Sequence, residues 1–286
     1  MHRRVSERLD PGAVVPDART VIALGIPYGD QGPSSGSPIA RYARGRDYHY
    51  AHRDRMRLLR NRLREMEPTM RTYACVDAGM AMEKVWAERA GLGWIGKHGL
   101  LVTREHGSWL TLSVMIIDCA LDEYDQPHPR LCGDCDLCLR ACPTGALPSP
   151  GVLDARRCLA YHTIENRGAI PEDVRDHLAS RAFGCDVCQE ACPHNRRDLP
   201  AGDPRQAPRP ISSLDALALA GLSPEEFAAL AGGTPLVRAG YSGVRRNAVL
   251  ALGAQRRQDA RALLQRLASE ADAVVSEAAR WALGRL

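Results

Sequence analysis

Lysine is almost absent from this chain: of 38 basic residues only Lys84 and Lys97 are lysines. A composition so skewed toward arginine means that basicity alone is no argument for an RNA partner. No apolar run approaches the length of a membrane span, so the sequence offers no transmembrane helix and no membrane partner is expected. An export signal is missing as well. The start, Met1-His-Arg-Arg-Val-Ser-Glu-Arg-Leu-Asp-Pro-Gly12, has an arginine pair, but charges and Asp-Pro-Gly stand where the apolar stretch should be. A cytoplasmic location is therefore expected, and with it reduced thiols, which argues against a disulfide framework. The net charge of +4 is mild, yet thirteen arginines face six acidic residues between Met1 and Arg64. A solvated helix face and contact with a polyanion both fit that excess.

What the chain has in quantity is cysteine, ten in 286 residues. Four read Cys132-Gly-Asp-Cys135-Asp-Leu-Cys138-Leu-Arg-Ala-Cys142-Pro143, and a second run reads Cys185-Asp-Val-Cys188-Gln-Glu-Ala-Cys192-Pro193. Paired tails of this spacing are those of two-cluster ferredoxins, in which the last cysteine of each run ligates the other cluster. Zinc is the alternative for closely spaced cysteines. Cys132, Cys135 and Cys138 with Cys192 would hold one 4Fe-4S cluster. Cys142, Cys185 and Cys188 are then one thiolate short for the other, and Cys158, between the runs, is the candidate. Cys75 and Cys119 fall in expected strands and read as small buried apolar residues.

At this length two or three units are expected. Arg19–Tyr28 reads as a buried strand, Gly29–Pro38 as a loop, and Asp47–Met66 as an amphipathic helix with Met56, Leu59, Leu63 and Met66 on its apolar face, stopped by Pro68. Arg71–Asp77, Gly99–Thr103 and Trp109–Asp118 read as strands, and Met80–Ala90 as a helix closed by Gly91. The reading is an α+β protein: a mixed α/β domain over 1–125, a two-cluster ferredoxin-like module over 126–200, a proline-rich linker from Leu199 to Arg209, and a helical domain over 210–286. In the last, Val244–Gly253 recurs at Val275–Gly284, which suggests HEAT-like repeats, although plain helical packing also fits.

Two clusters pass electrons, and an α/β unit placed ahead of them implies an acceptor, either cofactor or substrate. Its glycine-rich segment Ala90-Gly-Leu-Gly-Trp-Ile-Gly-Lys97-His-Gly-Leu-Leu101 lets backbone approach a ligand. Lys97 reads either as an ammonium wanted at that ligand or as a solvated lysine. Asp77, at a strand end, could donate a proton if desolvated.

The chain resembles the epoxyqueuosine reductases, cobalamin-dependent iron–sulfur enzymes of queuosine formation in tRNA. The resemblance runs from about Arg8 to the C-terminus. It is carried by Tyr42-Ala-Arg-Gly-Arg-Asp-Tyr-His49, Val76-Asp77, Ala87–Lys97, Cys132-Gly-Asp-Cys135, Cys142-Pro-Thr-Gly-Ala146, Thr163-Ile-Glu165, Gly184–Gln189, Cys192-Pro193 and Arg245-Arg-Asn-Ala248. It implies cobalamin held between the α/β domain and the cluster module, Asp77 as proton donor, and corrin contacts at Arg41, Leu101, Leu112, Ala160 and Asp186. It also implies the tRNA anticodon stem-loop as substrate, with Arg245, Arg246 and Asn247 toward it, and an external electron donor of flavodoxin or ferredoxin type; a monomer is expected. Departures from the family pattern stand at Ala78, Ser113, Val114, Ala160 and His194. The family's first strand and helix have no counterpart here, so the chain reads as N-terminally shortened. Two further readings remain: a cobalamin-dependent reductase of a small molecule, like the reductive dehalogenases, and a ferredoxin-type electron carrier.

Overall fold

The computed structural model describes residues 5–28, 36–195, 200 and 202–286. Most of the expected loop from Gly29 to Pro38, and part of the expected linker from Leu199 to Arg209, lie outside the described residues. After a short helix α1 (Val5–Leu9), the first part builds a three-stranded antiparallel sheet in the order β1 (Thr20–Pro27), β5 (Leu110–Ile117), β2 (Thr72–Cys75). Register runs from Thr20 opposite Ile117 to Pro27 opposite Leu110, and Cys75 at the end of β2 lies opposite Val114. A small hairpin pairs β3 (Trp94–Ile95) with β4 (Leu101–Val102).

The central strand is apolar at consecutive positions because both of its faces are covered. Val114 and Ile116 pack with Val15, Cys75 and Ala81, against which Trp86 of α3 (Glu83–Arg89) also lies. Met115 and Ile117 pack with Met56 and Met70, with Leu59 and Leu63 alongside. Alternating side chains thus enter two separate cores, as the two-residue period of a strand dictates. Helix α2 (Tyr48–Met66) covers the second face and starts at Asp47, whose carboxylate accepts from the His49 N–H at 2.9 Å, an N-cap. Met66, expected on the apolar face, is 81% exposed, because the last turn of α2 runs past the sheet.

The cysteine-rich stretch follows as short helices: α4 (Leu137–Ala141), α5 (Leu159–Ile164), α6 (Glu172–Arg175) and α7 (Val187–Glu190). Behind it come α8 (Ala216–Gly221), α9 (Pro224–Ala231), α10 (Gly240–Ala254), α11 (Arg261–Leu267) and α12 (Ala273–Leu283). Helix α10 is buried at every residue from Gly243 to Gly253, as a helix surrounded by others must be. Val244–Gly253 lies on α10 and Val275–Leu283 on α12. One core joins Leu159, Ile170, Leu178 and Phe183 to Leu219, Leu250, Leu264 and Ala282. The cysteine-rich helices and the C-terminal helices are therefore buried against each other. No helix among the described residues is long and apolar enough to cross a membrane.

Candidate active site

A cavity of about 660 Å³ opens where the sheet, the β3–β4 hairpin and the cysteine-rich helices meet. One wall carries Tyr48 and Asp77, another Leu101, Leu110 and Leu112, and a third Cys142, Cys158, Cys185 and Cys188. Ala160 and Asp186 line it too. Five of the positions expected at a cofactor, from segments far apart in the chain, therefore converge here: Asp77, Leu101, Leu112, Ala160 and Asp186.

Asp77 leaves β2 with φ of 60°, in the left-handed region that costs a residue with a side chain and that Asp and Asn tolerate best. The loop is held tightly: a Cβ at Gly79 would collide with Cys75 and the Tyr73 hydroxyl. The Tyr48 hydroxyl donates to Asp77 Oδ2 at 2.8 Å. Burial, then the charge of Asp77, pushes the Tyr48 phenol well up, so it stays a donor. His49 stacks on Tyr48 with ring centroids 4.3 Å apart. Its Nδ1 lies 2.7 Å from Asp47 Oδ1, and that bond raises the His49 pKa. Below, His52 is enclosed between α2 and β5, its Nδ1 2.6 Å from Ser113 Oγ and its Nε2 2.9 Å from Thr111 Oγ1. Ser113, one of the departures from the family pattern, thus has a local partner. Val114, another, is a buried core residue, and His194 packs edge-on against the buried Trp94 at 4.9 Å.

The eight expected cluster cysteines fall into two neighbourhoods. Burial raises the Cys138 thiol pKa first, followed by the proximity of Cys192, Cys132 and Cys135. Cys192 is likewise raised by burial and by Cys132 and Cys135. On the other side, burial and then Cys185, Cys158, Cys138 and Cys142 push Cys188 far up. Cys185 is pushed up to about 11, chiefly by burial, with Cys158 contributing. Among the described residues no group of three or more His, Cys, Asp or Glu side chains is arranged to hold a single metal ion. Thiolates that would repel one another in this way are what a cationic iron–sulfur core stabilises by binding them.

Other expectations change. Lys97 does not line the cavity: its Nζ donates to the Gly133 carbonyl at 2.6 Å, so the ammonium braces the Cys132–Cys135 loop. The other lysine, Lys84, is the one in the cavity wall, donating to the Gly99 carbonyl at 2.7 Å, and burial lowers its pKa. Arg41 contributes its backbone N–H to Asp186 Oδ2 at 2.8 Å, while its guanidinium covers the Trp109 ring at 4.6 Å. Burial raises the Asp186 pKa.

Arg245, Arg246 and Asn247, expected toward tRNA, are interior. Arg245 pairs with Glu270 at 2.7 Å and caps the Tyr241 ring at 4.7 Å. Arg246 donates to the carbonyls of His162, Asn166 and Gly168, and Asn247 to those of Thr163 and Ala182. The donors of Arg246 and Asn247 tie α10 to the cysteine-rich segment, and those of Arg245 go to the Ala220 carbonyl of α8 and to Glu270, so all three side chains are engaged inside the protein. The sequence alone does not single out Tyr48 or Lys84 as site residues. The available signals are the Arg46-Asp47-Tyr48-His49 stretch within which α2 begins, and the rarity of lysine.

Two family models match the chain. The 4Fe-4S double cluster binding domain covers residues 131–195, and the model for epoxyqueuosine reductase QueG, DUF1730, covers residues 8–78. An epoxyqueuosine reductase of Gloeobacter violaceus is 44% identical over 257 residues, 86% of this chain and 80% of the relative. One of Xanthomonas campestris pv. campestris is 36% identical over 298 aligned residues, spanning all of this chain and 83% of its own length. Among solved structures, an epoxyqueuosine reductase with an epoxyqueuosine-modified tRNA-Tyr stem loop superposes with a TM-score of 0.89 at 32% identity, covering 98% of this chain and 76% of that one. With relatives this similar over most of their length, the chain belongs to the epoxyqueuosine reductase family.

Proposed function

We propose that this protein removes the epoxide oxygen of epoxyqueuosine in a tRNA anticodon loop, giving queuosine, with cobalamin and two 4Fe-4S clusters as cofactors. Two electrons and two protons are taken up and water leaves. The observation that carries the reading is the cavity itself, lined both by the Asp77 carboxylate and by the four thiols Cys142, Cys158, Cys185 and Cys188. Cys132, Cys135, Cys138 and Cys192 are assigned to the outer cluster and Cys142, Cys158, Cys185 and Cys188 to the cluster beside the cavity. Cys135 is the exposed member of the eight, which suits electron delivery by an external flavodoxin or ferredoxin type of donor at that end.

The residues present fit cobalamin. The cavity is mainly apolar, and the buried His98 Nε2 in its wall has no partner among the protein atoms, which suits the amide-rich rim of a corrin. Leu101, Leu112, Ala160 and Asp186, the last held by the Arg41 backbone N–H, would hold that group. When bound, it supplies a low-valent cobalt nucleophile for the epoxide-bearing ring. The chain does the rest. Leu110 and Leu112 keep water from the cavity, Tyr48 orients Asp77, and Asp77 delivers the proton on which departure of the oxygen depends. The helices from α8 onward are read as a HEAT-like unit that completes the RNA-facing surface. The protein is read as a cytoplasmic monomer.

Anaerobically reconstituted protein should convert an epoxyqueuosine-containing stem loop to the queuosine form, followed by nucleoside mass spectrometry. No conversion despite full cofactor loading would refute the reading. Asp77→Asn should lower turnover by about 10²–10⁴-fold while cobalamin binding, followed by absorbance, persists.

A further inference from the structure

Of the thirteen arginines up to Arg64, six lie on α2, against two acidic residues there, Asp54 and Glu65. We propose that the outer face of α2 carries the RNA: Tyr50, Arg53, Arg57 and Arg64 bind the backbone of the anticodon stem-loop beside the cavity, an assignment that rests on the substrate proposed above. Steps of three, four and seven residues put these four side chains on one side of the helix. All four are exposed, while Met56, Leu59 and Leu63 turn to the sheet. No ion pair ties Arg53 or Arg64 to a carboxylate among the described residues, and Arg57 meets Asp54 only at 3.8 Å. On other sides of the helix the pairs are closer, Arg55 with Asp203 at 2.6 Å and Arg62 with Glu65 at 2.9 Å.

The face begins at the cavity. Tyr48, the first residue of α2, lines the cavity and donates to Asp77. The Asp47 N–H just before it donates to the Gly233 carbonyl at 2.8 Å, so this end of α2 abuts both the site and the C-terminal helices. Two residues beyond Tyr48, Arg46 and Arg53 stand over the exposed Tyr50 ring at 4.9 and 4.8 Å, with Asp54 4.0 Å from Arg46. Two guanidinium groups at one ring repel each other, a cost that a bound phosphate relieves. The ring itself is a platform on which an unpaired base can stack. From Tyr50 to Arg64 the face is about 21 Å long, enough to follow several phosphates of one strand. An acidic protein would match the charge but leave the Tyr50 platform without a base, which favours RNA.

The test is fluorescence anisotropy of a labelled stem loop titrated with cofactor-loaded protein at several salt concentrations. In the triple variant Arg53→Ala, Arg57→Ala, Arg64→Ala the slope of log affinity against log salt should fall by about 2–3, at 0.7–0.9 per lost phosphate contact. Alanine is the best helix former, so α2 stays folded, and cluster and cobalamin absorbance should match wild type. Lysine at the same three positions should restore most of the slope, since a phosphate contact needs the charge. Tyr50→Ala should weaken binding about tenfold. Arg62→Ala, which removes the arginine paired with Glu65, should change neither quantity. Free epoxyqueuosine nucleoside, which carries no phosphate, separates this surface from the proposed activity: the preference for stem loop over nucleoside should fall with the affinity. An unchanged salt slope in the triple variant, an equal loss on nucleoside and stem loop, or a loss confined to binding of an acidic flavodoxin-type donor would overturn the assignment and leave the activity standing. Wild-type protein that binds the stem loop through these arginines without converting it would overturn the activity and leave the surface standing.

Discussion

Replacing Asn247 by leucine separates an interior brace from an RNA contact. Asn247 is fully buried; its Nδ2 donates at 2.8 Å to both the Thr163 and Ala182 carbonyls, and its Oδ1 accepts from the Arg246 guanidinium at 2.7 and 3.0 Å. Leucine keeps the volume and removes all four bonds. The two carbonyls and Arg246 Nε lose these partners, while Arg246 Nη1 and Nη2 keep the carbonyls of Asn166, Gly168 and His162. An abandoned buried polar group costs about 1–3 kcal/mol, so three of them cost roughly 3–9 kcal/mol. That is a large part of the 5–15 kcal/mol typical of a whole domain. At about 2–4 °C per kcal/mol, Tm should fall by roughly 6 °C or more. The assay is a circular dichroism melt of cluster-loaded protein, with stem-loop affinity measured in parallel by fluorescence anisotropy well below Tm. The affinity should stay near that of wild type. A melt within about 2 °C of wild type, accompanied by a large loss of RNA affinity, would refute the brace and restore Asn247 to the RNA surface.

Two further expectations follow from the same structure. Cys158→Ser should leave the outer cluster intact and reduce iron content by about half; retention of the full iron complement would dismiss Cys158 as a ligand. Acid should destabilise the fold through His52, whose pKa is pushed down to about 4, mainly by burial. The unfolded chain binds the proton at an ordinary histidine pKa of about 6.5, so His52 contributes its stability in full above that value. The contribution declines between about pH 6.5 and 4 and amounts to about 3 kcal/mol. Urea denaturation across this range should show the decline in wild type, and a flatter profile in His52→Gln; identical profiles would exclude His52 as the cause.

Local signals were legible where chemistry depends on spacing along the chain. The two cysteine runs pointed to paired clusters because a cluster loop is short and contiguous. Period and punctuation placed β1, α2 and β5 to within a residue or two, since Asp47 caps α2 and the apolar run of β5 is long enough to have only one reading. Asp77 stood out at the end of β2. What the chain order could not show was which side chains are used up by partners far away. Lys97 and Lys84 look alike in sequence, yet one reaches Gly133 and the other borders the cavity. Arg245-Arg-Asn247 reads as a basic surface motif until α10 is surrounded by α8, α12 and the cysteine-rich helices, when the same donors become the ties between them. Spacing along the chain therefore determined the cluster chemistry, because ligand loops are local, whereas packing decided the cavity, the partner of Asp77 and the burial of Arg245 and Arg246, because burial depends on contacts between residues far apart in sequence.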